Sequence, residues 1–217
     1  MSSAIQAAQP SALAPSGERW SWLSMMERAT TAQLELALLG GVAPKMESLV
    51  GWEFGGGNCV RIYSLLGIRK FVKGFYEGPA RDQGPSPSLS REGKLELVAG
   101  FPLGKILQGY NIAAIRNADA EPHVCKPSDE KPGRYGFYRV HAPVSGARDA
   151  RYMNSLLLDY GLGGNGLFGP PLRDYIVQVY PDDPDLLLGK AYGAIGPIRI
   201  PLNFFVLKRR RAVEFGG

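Results

Sequence analysis

Lys73 stands in the run 70–76, Lys-Phe-Val-Lys-Gly-Phe-Tyr. Strand alternation puts Phe71, Lys73 and Phe75 on one face and Val72, Gly74 and Tyr76 on the other. An inward aromatic pair would carry Lys73 inside, where an ammonium needs a carboxylate or the acid group of a ligand. The opposite phase leaves Lys73 outside, on a surface with two rim aromatics. A second constellation joins Asp159 and Tyr160 at the end of one apolar run to Arg173, Asp174 and Tyr175 at the start of the next. A hairpin there gathers two carboxylates, a guanidinium and two phenols. Mutual approach of Asp159 and Asp174 would raise one pKa unless Arg173 or Lys190 compensates, which suits a general acid or base. Tyr160 and Tyr175 would then donate to a developing oxyanion. The plainer alternative is a hairpin base held by a cross-strand ion pair.

Lys190 and Tyr192 alternate after the run 186–188 and share a face with Leu188, either to hold a carboxylate head group or to meet solvent. Lys73, Tyr76, Arg173, Lys190, Tyr192 and, in the glycine-rich loop 161–173, the apolar Phe168 form the expected ligand-binding set. His123 and His141 are the chain's two histidines and sit in no spaced set with Cys, Asp or Glu, so no metal site and no cofactor are expected. They also serve no nucleophile motif, which disfavours acyl transfer. The run Gly55-Gly56-Gly57-Asn58 lacks the Lys-Ser/Thr of a phosphate loop and reads as a tight turn or bulge.

The elements that must position these residues follow from the 28 Gly and 17 Pro in 217 residues. So many breakers disfavour a helical bundle, while 45% hydrophobic content provides for a core. One stretch, 18–39, is free of both, and its apolar residues recur at three- and four-residue spacing from Leu23 to Leu38. It predicts a single amphipathic helix, capped near Ser16 and stopped at Gly40-Gly41, that packs on the barrel or closes one end. Beyond it lie short runs rich in Val, Ile, Tyr and Phe at 50–54, 59–65, 69–77, 94–101, 106–116, 134–141, 152–160, 174–180, 186–195 and 201–208. No helical pattern separates them, so the expected fold is mainly β: one antiparallel up-and-down barrel of roughly eight to ten strands. Residues 1–17 read as a loosely ordered leader without a signal peptide's apolar core, and 18–217 as one domain. The loops 78–93 and 117–133 read as exposed linkers or lids, and 161–171 as an apolar lid.

The opening strand, Gly51-Trp52-Glu53-Phe54-Gly55, is a GxWxG-like segment whose end is spread by Phe54. With 70–75, 157–160, 173–175, 187–190 and 204–209 in this order, the chain resembles the calycin superfamily of lipocalin-like barrels. The resemblance implies that Trp52 plugs the closed end beneath a C-terminal basic residue, Arg209 or Lys208. It also implies an interior for an apolar small molecule, with enzymes in the minority. No histidine follows His141, which departs from the haem-binding relatives.

A net charge of +5 without a basic, aromatic-interleaved stripe excludes a strong nucleic-acid footprint. Lys208 to Arg211 reads as a solvated strand end. No apolar run reaches the ~18 to 20 residues of a transmembrane helix. Cys59 and Cys125 read as free thiols in the cytoplasm. The function expected is binding of a fatty-acid, isoprenoid or polyketide-like ligand. The alternative is a cofactor-independent cyclase, isomerase or hydratase.

Overall fold

The computed structural model describes residues 14, 17–59, 69–79, 105–163, 165 and 172–215. Eight strands close into an antiparallel barrel in chain order: β1 (Trp52–Asn58), β2 (Lys70–Pro79), β3 (Lys105–Ala113), β4 (Arg134–His141), β5 (Leu156–Asp159), β6 (Leu172–Tyr180), β7 (Asp183–Ile195) and β8 (Ile198–Ala212). Each strand pairs with its sequence neighbours, and β1 pairs with β8 to close the cylinder, so no edge is left unpaired. The expected strand at 94–101 and most of that at 59–65 lie outside the described residues.

The 18–39 segment is two helices: α1 (Trp22–Glu27) and α2 (Thr31–Gly40). Each begins with its own reciprocal cap, Ser21 with Ser24 and Thr30 with Gln33. Two capping boxes within ten residues outweigh the continuous apolar spacing, because each satisfies helix-start N–H groups that a single helix would not have there. The helices lie on the outer face of β6, β7 and β8. There Trp20, Met25, Leu34 and Leu38 join Val177, Leu188 and Val206 in one buried cluster.

The Gly55–Gly57 run is mid-strand rather than a turn, hydrogen-bonded in register to both β2 and β8. A Cβ on Gly56 would fall 2.2 Å from the Phe71 ring, so glycine here makes room for a neighbour's aromatic side chain. The 117–133 loop is a strap against the barrel wall. Lys70 on β2 donates to Asn117 Oδ1 and to the carbonyls of Ala118 and Glu121 at 2.6–2.7 Å. Among the described residues, no helix is long and apolar enough to cross a membrane.

Candidate functional site

Strand alternation divides the polar residues between the two faces of the barrel wall. On β2 the inward set is Phe71, Lys73 and Phe75, and on β6 it includes Asp174 and Ile176. Lys73 is 2% and Asp174 4% exposed, and their side chains pair at 2.9 Å. The interior lysine thus finds the carboxylate that its burial demands. Tyr160, which follows β5, and Asn111 on β3 complete the centre. Lys73 Nζ donates to Asn111 Oδ1 at 2.9 Å and to the Tyr160 hydroxyl. Tyr160 in turn donates to Asp174 Oδ2 at 3.0 Å.

Four rings surround the ammonium, those of Phe71, Tyr138, Tyr160 and Phe205, with centroids 5.0–5.5 Å from Nζ. Burial pushes Lys73 below its usual pKa, with Asp174 opposing, and holds the Tyr160 and Tyr138 phenols well above theirs. Both phenols therefore remain protonated donors. Asn111 is itself positioned by Gly136, whose φ of +55° turns its carbonyl toward Asn111 Nδ2 at 3.0 Å. The β3–β4 register shifts beside this pair, as it does at a bulge built on left-handed glycine.

The two ends of the interior differ. At one, Trp52, Phe54, Phe75 and Leu207 pack with Met46 and Leu49 from the turn that precedes β1. Arg209 lies 4.4 Å above the Trp52 ring and reaches Asp185 at 2.6 Å. At the other, Ala113 beyond Asn111 on β3, Ala191 and Gly193 on β7 and Leu172 on β6 face inward half-buried, with Phe71 and the hydrogen-bonded Asn203 and Asn58 buried on the same inward face. Asp174 sits between these ends, in register with Ala191.

Asp159 and Asp174 do not meet. Asp159 is in register with Arg173 and Asp174 with Leu158, so the two carboxylates lie on opposite faces of the sheet. Asp159 pairs with Arg173 outside the barrel at 3.0 Å, and Tyr175, on that same outer face, donates to the Asp149 carbonyl at 3.1 Å. Lys190 and Tyr192 also point outward. Lys190 is held by Glu35 of α2 at 2.6 Å, and Tyr192 by Tyr152 at 2.9 Å. Tyr76 packs outside against Phe215, with ring centroids 4.7 Å apart. Phe168 and most of the proposed lid lie outside the described residues. Of the expected ligand-binding and catalytic residues, Lys73, Tyr160 and Asp174 come together inside. Asn111 and Tyr138 are the partners that sequence reasoning missed. The signal was the alternation of Leu107, Gly109 and Asn111 on β3, in phase with Lys73 across the pairing.

The outer cluster is a structural clasp. Asp149 accepts from Arg199, at 3.0 Å from Nη2, and from Arg173 at 3.4 Å. Burial alone would raise the Asp149 pKa, but the two guanidiniums outweigh it and hold the carboxyl below its ordinary value. A folded carboxyl that is the stronger acid stabilises fully above the unfolded pKa and loses that contribution as the pH falls through the folded value. Wild-type stability should therefore decline below about pH 4, and Asp149→Asn should flatten that limb in urea titrations across the acid range. An unchanged acid limb would remove Asp149 from this role.

No protein-family model, curated protein or solved structure matches this chain.

Proposed function

We propose that the barrel binds a small, mainly apolar molecule inside, with the Lys73–Asp174–Tyr160–Asn111 centre meeting its polar group. The observation that carries this reading is the contrast between the two ends. Bulky side chains close one, while Ala113, Ala191 and Gly193 face inward half-buried at the other, beside a polar centre within aromatic walls. Sites for small ligands are mostly apolar, with a few convergent polar groups. The closed up-and-down topology and the stacking of Arg209 on Trp52 support kinship with calycin-type barrels. The free thiols Cys59 and Cys125 are compatible with work in the cytoplasm.

Native mass spectrometry of the purified chain and displacement of an apolar fluorophore test the reading. A co-purified lipid-sized mass or saturable displacement is expected. Ala191→Phe, which adds a ring at the end of Ala113 and Gly193, should weaken displacement at least tenfold while the circular dichroism is unchanged. Absence of both a bound mass and displacement in the wild type would end this proposal.

A second reading, acid/base turnover without a cofactor, is favoured by one contact: the Tyr160 hydroxyl and Asp174 carboxylate share the interior at 3.0 Å. Asp174 would take a proton at its free oxygen, and Tyr160, donating to Asp174 Oδ2, would hold that carboxylate in place. Conversion of a bound compound by the wild type and not by Tyr160→Phe would select it.

A further inference from the structure

We infer that the molecule held in the barrel is a neutral hydrogen-bond donor, an alcohol or phenol with an apolar body, and not a carboxylic acid. This rests on the ligand-binding reading above. An ammonium has three N–H donors; those of Lys73 meet Asn111 Oδ1, the Tyr160 oxygen and Asp174 Oδ2. The one proton of Tyr160 goes to Asp174 Oδ2 at 3.0 Å. The amide of Asn111 donates to the Tyr160 oxygen at 3.1 Å and to the Gly136 carbonyl at 3.0 Å. Every donor of the centre is committed. One acceptor is not: Asp174 Oδ1 is buried and has no hydrogen-bond partner.

The charges of Lys73 and Asp174 already balance. A ligand carboxylate would set a second anion beside Asp174 with no donor free to receive it. A hydroxyl supplies the donor that Oδ1 lacks and makes a bond to an ionised acceptor, the stronger kind. Ala191, the register partner of Asp174, is half-buried and presents only a methyl group beside it. A site with a buried acceptor of this kind discriminates against analogues that leave it unpaired.

Calorimetric titration of the full chain near neutral pH tests this with farnesol, its methyl ether and farnesoic acid, and with dodecanol and dodecanoic acid. Farnesol should bind roughly tenfold or more tightly than the ether, and each alcohol more tightly than its acid. Asp174→Asn leaves the Lys73 charge uncompensated and should reverse the order of alcohol and acid. Acids binding the wild type as tightly as the alcohols would overturn the inference and leave the ligand-binding reading standing. Failure of all five compounds, together with no fluorophore displacement, would instead overturn that reading.

Discussion

Lys73→Met will cost the fold about 3–5 kcal/mol, the loss expected when one member of a buried ion pair is removed and the other is left behind. Asp174 is 4% exposed, and without Lys73 its remaining partner is the Tyr160 hydroxyl. Against a total stability of about 5–15 kcal/mol for a typical domain, that loss decides whether the chain stays folded at ordinary temperature. The double variant Lys73→Met, Asp174→Leu should recover most of it. Tyr160 and Asn111 still bond to each other at 3.1 Å, and no net charge is left in the core. Urea unfolding of the single and double variants measures both. If the double variant is no more stable than Lys73→Met, the pair is not what Lys73 contributes.

The same cycle separates a fold-stabilising pair from a centre kept for a ligand. Exchanging a buried ion pair for apolar groups of similar volume is often neutral or better. A double variant as stable as the wild type that no longer binds ligand would mean the pair serves function.

The residues from which the barrel could be anticipated were the alternating runs, because period two fixes which side chains share a face. Phe71, Lys73 and Phe75 demanded a carboxylate once the aromatic pair faced inward. Which carboxylate was legible only as a neighbourhood. Asp159 and Asp174 stand at adjacent ends of two strands, but the β5–β6 register is offset so that Asp159 opposes Arg173. A one-residue step moves a side chain to the other face, and no local pattern sets that step. Lys190 and Tyr192 pose the same difficulty. Their face is apolar enough to be a lining, and it is instead the face on which α2 lies, with Glu35 received by Lys190 at 2.6 Å. The helix break at Thr30 was present as the Thr-x-x-Gln spacing but hidden under continuous apolar periodicity.

Glu53→Ala should open the barrel at its seam. The basic end of β8 reads as a solvated terminus, yet two of its residues are drawn onto one carboxylate of β1 that is fully buried. The register of β1 and β8 shifts between Glu53 and Phe54, opposite Arg211 and Arg209, leaving Arg210 as the extra residue of a bulge. Two consecutive arginines can then face the same side, and both reach Glu53 Oε2, Arg210 at 3.2 Å and Arg211 at 2.8 Å. Tyr110 donates to the other oxygen at 3.2 Å. Arg210 also holds Asp129 and the His123 carbonyl at 2.6 and 3.0 Å, so the strap is fastened to the same point. Truncating Glu53 leaves Tyr110 and the two guanidiniums without their shared acceptor. Both arginines retain some contact with solvent, which places the cost at about 2–4 kcal/mol, below that of a fully enclosed pair. The loss should be local as well as global. Amide exchange along β1 and β8 should accelerate more than along β6 and β7, because closure between the first and last strands joins the segments most distant in sequence. Equal acceleration in all strands would mean that Glu53 supports the core as a whole and that the seam has no weakness of its own.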